Sequence, residues 1–160
     1  MNFLKGKTAI ITGAGKAVLS DGNCGSIGYG IATAYAKEGA NLVLTGRNVK
    51  KLEDAKLDLE SKYGIKVVVV QADVSADANN EEVVKKVVDA AISNFGRIDV
   101  LINNAGISDN KIFTDITDED WQKIINTNLY SAFCVTQEAV SNMIHNKKGC
   151  IINISSVWGI

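Results

Sequence analysis

The sequence lacks proline altogether and contains a single histidine, three cysteines and no long apolar run. Cys24, Cys134 and Cys150 are widely spaced and form no Cys-x-x-Cys pair, so we predict neither a disulfide framework nor a metal site. Runs such as Val67 to Val70 are too short to cross a bilayer, and residues 1–6 lack the apolar stretch of a secretory signal. We therefore expect a cytoplasmic protein without a membrane partner.

The charge balance excludes a second class of partner. Seventeen basic residues and eighteen acidic residues give a formal net charge of −1. Binding to nucleic acid or to an anionic surface relies on a basic excess, which is absent here. With 46% hydrophobic residues in a chain of 160, we expect one domain over residues 1–160 with a real core. A small molecule is the partner class that remains.

Short apolar runs alternate along the chain with segments of helical periodicity. The runs are Thr8 to Ile11, Leu42 to Leu44, Val67 to Val70, Val100 to Ile102 and Cys150 to Ile154. Helical segments between them include Ile27 to Lys37 and Val49 to Tyr63. This alternation predicts an α/β fold: a Rossmann-type doubly wound parallel sheet of about five strands in the order 3-2-1-4-5, with helices on both faces. Because the full dinucleotide-binding order has six strands, we expect the fold to be incomplete at the C-terminus.

Polar residues follow every predicted strand at its carboxyl end. They are Thr12-Gly13-Ala14-Gly15, Thr45-Gly46-Arg47, Ala72-Asp73-Val74, Asn103-Asn104-Ala105-Gly106 and Ser155-Ser156. In open α/β sheets, ligands bind beyond the carboxyl ends of the strands, where the strand order reverses. One polar strand end is compatible with ordinary turn chemistry. Five polar strand ends at the same edge of the sheet predict a ligand site there.

The segment after the first strand departs from the usual phosphate-binding glycine pattern. Gly13 and Gly15 are followed by Val18 where a third glycine is expected, and Gly28 near the start of the first helix takes the packing role instead. The stretch from Lys16 to Ser26 separates the two parts. The amides at that helix start can still bind a phosphate. The alternative interpretation is a surface loop unrelated to any cofactor.

A long helix is predicted near Asp118 to Asn146, with an apolar stripe facing the core. The stripe consists of Trp121, Ile124, Ile125, Leu129, Ala132 and Phe133. The period of 3.6 residues places Asn128 within this stripe, so we expect a buried amide that needs hydrogen-bond partners.

These motifs resemble those of the classical short-chain dehydrogenase/reductase family, and of 3-oxoacyl-acyl-carrier-protein reductases within it, over essentially the whole chain. The matching segments are Thr12-Gly13-Ala14-Gly15 with Gly28, Asp73-Val74, Asn103-Asn104-Ala105-Gly106, Asn126-Thr127-Asn128-Leu129 and Ile154-Ser155-Ser156-Val157. The long loop from Lys16 to Ser26 also resembles the corresponding loop of divergent enoyl-acyl-carrier-protein reductases. The motif Asn103-Asn104-Ala105-Gly106 argues against placing the chain among those reductases. The resemblance implies hydride transfer between a nicotinamide and a carbonyl or alcohol substrate.

The resemblance also implies roles for individual residues. Cofactor binding falls to Thr12, Gly13, Gly15, Gly28, Asp73, Val74, Asn104, Ala105 and Gly106, with the glycines shaping the phosphate loop and Asp73 contacting the adenine. Ser156 would stabilise the developing alkoxide, and Asn128 would hold a water in a proton relay. Position alone leaves a purely structural role open for both of these residues.

The choice of cofactor is predicted at the end of the second strand. Enzymes that use NAD usually carry an acidic residue there for the ribose 2′-hydroxyl. Here Gly46 takes that place and Arg47 follows, offering a planar cation that suits a 2′-phosphate. We therefore predict NADP as the cofactor, with NAD still possible. The alternative is a solvated arginine at a helix start.

The general acid of the family, the tyrosine of Tyr-x-x-x-Lys, has no counterpart in this sequence. None of Tyr29, Tyr35, Tyr63 and Tyr130 has a lysine four residues further on. We therefore expect a partial oxidoreductase chain that binds cofactor and is inactive alone. The alternatives are a non-catalytic NADP-binding or subunit-partner module, and a marginal fragment with an unpaired strand edge.

Substrate and assembly are less accessible to sequence reasoning. Only Ile107, Ser108 and Trp158 are candidates for lining a substrate pocket. Members of the family usually form dimers or tetramers through the long helix and a helix that follows it. The resemblance therefore implies a homo-oligomer for a full-length protein.

Overall fold

Five strands form one parallel sheet, in the order β3-β2-β1-β4-β5. The computed structural model describes residues 2–23, 25–75 and 80–157. The strands are β1 (Thr8–Thr12), β2 (Asn41–Gly46), β3 (Val67–Gln71), β4 (Val100–Asn103) and β5 (Cys150–Asn153). The predicted strand order is confirmed. It reverses between β1 and β4, so a crevice opens at the carboxyl ends of these two central strands.

Helices cover both faces of this sheet. They are α1 (Ile27–Lys37), α2 (Val49–Tyr63), α3 (Asn80–Phe95), α4 (Asp118–Ile125) and α5 (Ser131–His145), with a 3₁₀ turn at Phe113–Asp115 and a π turn at Asn126–Tyr130. Several ends follow from local chemistry. Asn48 caps α2 by accepting a hydrogen bond from Lys51 N, and Gly64 ends it at φ 64°. Thr117 and Asp120 form a capping box at the start of α4.

Two hydrophobic cores lie on opposite faces of the sheet. Because side chains alternate along a strand, Ile10 and Ile11 of β1 belong to different cores. The core under α1 and α2 contains Ile11, Leu42, Leu44, Leu52 and Leu59 among its members. The core under α3 and α5 contains Ile10, Val43, Leu101, Val87 and Val135. Strand β1 is therefore buried along its whole length and holds the crevice in a fixed position.

Strand β5 differs from the other four because every residue in it is exposed. Ile151 and Ile152 retain 37% and 36% of their accessible surface. The strand pairs with β4 on one side only. No helix among residues 2–23, 25–75 and 80–157 is both long and apolar enough to cross a membrane.

The predicted long helix is confirmed, because the backbone stays helical from Asp118 to His145 through the π turn at Asn126–Tyr130. The expectation that its apolar stripe faces the core is wrong, since Trp121, Leu129 and Phe133 are 61%, 63% and 57% exposed. The residues that pack inward are Thr127, Ser131, Val135, Ala139 and Met143, spaced four apart. This face mixes small residues with Val135 and Met143 and carries no aromatic side chain. The sequence prediction relied on hydrophobicity alone and therefore placed the aromatic face inward. In the structure, the described residues do not cover that face.

Candidate functional site

The carboxyl ends of β1 and β4 are joined by a clamp of neutral side chains. The hydroxyl oxygen of Thr12, a buried residue, accepts hydrogen bonds from the backbone N–H groups of Asn104 and Ala105, each at 2.9 Å. Asn104 Nδ2 donates to the carbonyl oxygens of Thr12 at 2.8 Å and Gly13 at 3.2 Å. These bonds hold the two sides of the crevice together without any charged group.

Glycine is required where the first turn meets helix α1. Gly13 has φ 66°, a left-handed conformation that glycine adopts readily. A Cβ on Gly28 would overlap the carbonyl oxygen of Gly13 and come within 2.6 Å of Asn104 Nδ2. Gly15 is also tight, since a Cβ there would lie 3.1 Å from Lys51 Cβ. The backbone of the turn and the start of α1 are thus in direct contact.

The stretch from Lys16 to Ser26 folds outward and leaves this contact intact. Gly25 N donates to Ala17 O at 2.8 Å, and Leu19 N donates to Asn23 O at 2.9 Å, so the two arms of the stretch pair with each other. At its base, Ser26 caps α1 and donates from its hydroxyl to Gly15 O at 2.9 Å. The insertion is therefore accommodated as a hairpin-like protrusion. Cys24 lies outside the described residues.

A crevice of about 100 Å³ runs along the strand ends on one side of this clamp. It is lined by Gly13, Thr45, Gly46, Arg47, Ala72, Asp73, Val74, Ser75, Ala105, Gly106, Ile107 and Thr127. The structure thus brings together six of the residues predicted to bind cofactor. The other four, Thr12, Gly15, Gly28 and Asn104, stand outside this lining and form or contact the clamp and the turn.

Two charged side chains stand at the crevice. The Asp73 carboxylate accepts hydrogen bonds from Ser75 N at 3.1 Å and from Ser75 Oγ at 2.6 Å, so its orientation is set locally. Arg47 is exposed, and its carbonyl oxygen accepts a hydrogen bond from Gln71 Nε2 at 3.1 Å. Among the described residues no carboxylate forms a salt bridge with the Arg47 guanidinium. A cation at this position favours an anionic ligand group.

A second cleft opens on the other side of β4. Its lining comprises Thr12, Asn103, Ala105, Asn128, Leu129, Ser131, Ala132, Phe133, Val135, Thr136, Asn153 and Ile154. Asn103 Nδ2 donates to Thr136 Oγ1 at 3.0 Å and to Asn153 Oδ1 at 2.9 Å, which ties β4 to α5 and β5. The cleft therefore has a polar base formed by asparagine side chains, and its helical wall carries both apolar and polar residues.

Asn128 lines this cleft but is exposed, so the expectation of a buried amide is wrong. Its Oδ1 accepts a hydrogen bond from Ile107 N and its Nδ2 donates to Ile107 O, both at 2.8 Å. The side chain therefore holds the loop after β4 against the π turn. Ser156 is exposed and lies beyond β5, outside the lining of the cleft. Trp158, a predicted pocket residue, lies outside the described residues.

Sequence reasoning missed one charged residue beside the glycine turn. Asp58 in α2 accepts hydrogen bonds from Lys16 Nζ at 2.7 Å and from the Tyr29 hydroxyl at 2.6 Å. Burial by itself raises the pKa of Asp58, but the bonds from Lys16, Tyr29 and Lys62 outweigh it and hold the pKa well below its usual range. These partners are far apart in sequence, so no local pattern indicated the contact.

A doubly wound parallel sheet, with a glycine turn and a helix start at the reversal of strand order, defines the dinucleotide-binding class of α/β folds. Comparison with known proteins gives the family. The family model for short chain dehydrogenases matches residues 7–160. The chain belongs to the short-chain dehydrogenase family, as its motifs predicted.

Two curated relatives show how much of such a protein this chain spans. A 12α-hydroxysteroid dehydrogenase from a Clostridium species is 47% identical over 161 aligned residues, covering 100% of this chain and 59% of that protein. A 3-oxoacyl-acyl-carrier-protein reductase from Chlamydia muridarum is 35% identical over 159 residues, covering 99% of this chain and 59% of that protein. The chain thus spans about three fifths of the length of each relative.

A solved structure agrees with the sequence comparison. L-sorbose reductase from Gluconobacter frateurii, determined in complex with NADPH and L-sorbose, matches this fold with a TM-score of 0.87 and 34% sequence identity. The match covers 100% of this chain and 56% of the reductase. The fold predicted from strand alternation is therefore that of solved members of the family.

Proposed function

We propose that this chain forms a single dinucleotide-binding domain over residues 1–160 and serves an oxidoreductase that transfers hydride between NADP and a carbonyl or alcohol substrate. The observation that carries the proposal is the crevice at the reversal of strand order, where the Gly13–Gly28 contact lies beside an arginine without a salt-bridge partner among the described residues. The NADPH and L-sorbose bound to the Gluconobacter reductase support the same chemistry.

The residues at the crevice fit a nicotinamide dinucleotide. Because Gly13 and Gly28 carry no side chain, the turn and the start of α1 lie in contact, and a diphosphate would bind at the helix start beside this contact. Arg47 would hold the 2′-phosphate, and Asp73 would accept a hydrogen bond from the adenine amino group. When bound, the nicotinamide supplies or accepts the hydride.

Two residues are proposed to act on the substrate side. Ser156 would donate a hydrogen bond to the substrate oxygen and stabilise the charge that develops there. Asn128 would join a proton relay and, through its bonds to Ile107, would keep the loop after β4 at the edge of the cleft. Because no tyrosine in the sequence has a lysine four residues further on, we propose that these 160 residues bind cofactor without turning over substrate.

The test compares NADPH and NADH binding by calorimetry, using the wild-type chain and the variants Arg47→Ala and Lys50→Ala. We expect NADPH to bind at least about tenfold more tightly than NADH, since a charge-assisted contact is worth about 1.5–3 kcal/mol. Arg47→Ala should remove this preference by weakening NADPH alone. Lys50 is the matched control because it is a neighbouring exposed cation that pairs with Asp54. Failure of the wild type to bind either dinucleotide would overturn the proposal.

The missing Tyr-x-x-x-Lys pair also supports a second candidate function, a module that binds NADP for sensing or for partnering another subunit. The discriminating measurement follows NADPH absorbance with a panel of ketones, steroids and sugars. Tight binding without turnover by the natural full-length protein favours the module. Turnover by that protein favours the oxidoreductase.

Assembly and location are proposed on separate grounds. The exposed aromatic face of α4 and α5, with Trp121 and Phe133, supports contact with a second copy of the chain. Analytical ultracentrifugation should detect dimers at micromolar concentration, and Phe133→Glu should shift them towards monomer. A monomer at all concentrations would contradict this proposal. Location in the cytoplasm stays a prediction.

A further inference from the structure

A cluster of charged and phenolic groups connects three segments behind the glycine turn. Asp58 of α2 is its centre, with a side chain that is 16% exposed. Its carboxylate accepts hydrogen bonds from Lys16 Nζ at 2.7 Å and from the Tyr29 hydroxyl at 2.6 Å, and Lys62 Nζ lies at 3.0 Å. The Lys16 ammonium also lies 5.7 Å from the centre of the Tyr29 ring, within the range of a cation–π contact. One carboxylate thus serves three donors.

The surroundings of Asp58 distinguish this cluster from the surface ion pairs of the same helix. In the pair of Lys50 and Asp54, the two side chains are 85% and 47% exposed and 3.3 Å apart, so solvent screens their attraction. Asp58 has less contact with water and more donors. Its pKa is held low even though burial alone would raise it, so the carboxylate remains charged at neutral pH. Loss of this charge would leave one acceptor oxygen and no counter-charge for two lysines and a phenol.

The sequence positions of the partners relate the cluster to the site. Lys16 directly follows Gly15 and Tyr29 directly follows Gly28, so Asp58 binds the residue after a glycine on each side of the insertion. A backbone bond from Lys16 N to Lys51 O at 2.8 Å attaches the same turn to α2. Helix α2 therefore holds both arms of the turn from behind, at the point where the inserted hairpin leaves the fold.

We propose that Asp58 is a positioning residue that holds the two glycine segments of the turn in the arrangement required to bind the dinucleotide diphosphate. This inference rests on the proposed function. An insertion lengthens the loop between the segments and increases the entropy lost when they come together. The Asp58 contacts reduce that cost by ordering the loop before ligand binds.

The test uses two ligands that sample different parts of the crevice. NADPH requires the turn because it carries the diphosphate, whereas 2′-AMP carries only the adenosine and 2′-phosphate. For Asp58→Asn we expect an increase of about tenfold in the NADPH Kd, with the 2′-AMP Kd unchanged within about twofold. Asp54→Asn, the same substitution one turn earlier on the same helix, is the matched control and should change neither value. Asp58→Glu keeps the carboxylate and should recover part of the NADPH affinity.

The outcomes separate this inference from the proposed function. If the wild-type chain binds no NADPH, the proposed function fails. If the wild type binds and Asp58→Asn binds NADPH equally well, or loses affinity for both ligands alike, the positioning role is overturned. Tyr29→Phe provides a second variant that removes one hydroxyl only, in case Asp58→Asn unfolds. A selective increase of about threefold or more in its NADPH Kd supports the inference, and a smaller change or none contradicts it.

Discussion

The two ends of the central strands are joined in chemically different ways. At the amino end, Asp99 accepts hydrogen bonds from Lys7 Nζ at 3.0 Å, Thr8 N at 3.0 Å and two guanidinium nitrogens of Arg97 at 2.7 and 2.6 Å. At the carboxyl end, Thr12 and Asn104 join the same two strands through neutral groups. At the amino end both cations, Lys7 and Arg97, pair with the one carboxylate of Asp99. At the carboxyl end, the cation Arg47 lines the crevice and forms no salt bridge among the described residues.

The difference between the two ends suggests that the amino end contributes to stability and that the carboxyl end contributes to ligand binding as well. Charged groups that pair with each other have little left to offer a ligand, and removal of one partner destabilises the fold because the other charges lose their acceptor or donor. A neutral clamp also orders the backbone, and it adds no net charge to the electrostatic potential at the crevice. We therefore expect substitutions at the amino end to change the free energy of unfolding alone. Substitutions at the carboxyl end should change that free energy and NADPH affinity together.

The largest effect is expected for Gly28→Val. The added side chain would overlap Gly13 O and approach Asn104 Nδ2, so the turn and the start of α1 must move apart. NADPH binding should weaken by more than about a hundredfold, which corresponds to about 2.7 kcal/mol. Ala34→Ser on the exposed face of the same helix is the control and should bind like the wild type. Calorimetric titration measures both, and near wild-type affinity in the valine variant would contradict the proposed role of the Gly13–Gly28 contact.

Thr12→Val should have the next largest effect. Valine keeps the shape of the side chain but leaves the N–H groups of Asn104 and Ala105 without their acceptor. We expect the free energy of unfolding to fall by about 2–4 kcal/mol, with a parallel loss of NADPH affinity. Thr12→Ser keeps the hydroxyl and serves as control. Urea denaturation and calorimetry test the prediction, and loss of stability with intact affinity would separate the clamp from the site.

Asp99→Asn tests the opposite end of the sheet and its pH dependence. Burial raises the pKa of Asp99, but bonds from Arg97, Thr8 and Lys7 outweigh it, so the folded-state pKa lies below the unfolded value near 3.8. The charge therefore stabilises the folded state above that pH, and this contribution is lost as the pH falls below it. The variant should be less stable by about 1–3 kcal/mol at pH 7, with a shallower loss towards acid and an unchanged NADPH Kd. Urea titrations in steps of about half a pH unit, between pH 3 and pH 7, measure how the free energy of unfolding changes with pH. A changed NADPH Kd in Asp99→Asn would contradict the expectation that the amino end affects stability alone.

The smallest effect is expected for Asn128→Ala. This exposed side chain forms hydrogen bonds with the backbone of Ile107, and water can replace it there. The free energy of unfolding should fall by about 0.5–1.5 kcal/mol, and the NADPH Kd should rise by no more than about threefold. Hydrogen exchange should show faster exchange at Ile107 N–H. Unchanged exchange there would contradict the assigned contact.

Sequence reasoning was most successful where a local pattern carries its own physical cause. The bounds of α1 and α2 agree with the predicted segments because Ser26 and Asn48 cap them and Gly64 ends the second. The parallel sheet follows from the alternation of strands and helices, and its strand order is the one typical of dinucleotide-binding folds. The long helix was harder, because its inward face uses small residues such as Ser131 and Ala139 rather than the large apolar ones.

By itself, the sequence determined the doubly wound sheet, the edge at which polar residues gather and the glycines that no larger residue can replace. Periodicity, capping and the absence of a side chain act within a few residues, so these features can be read along the chain. Only the tertiary structure decided which face of α5 is buried, how the insertion folds and which carboxylate lies behind the turn. Asp58 meets Lys16 across 42 positions of sequence, and such a contact exists only after the sheet has brought α2 beside the turn.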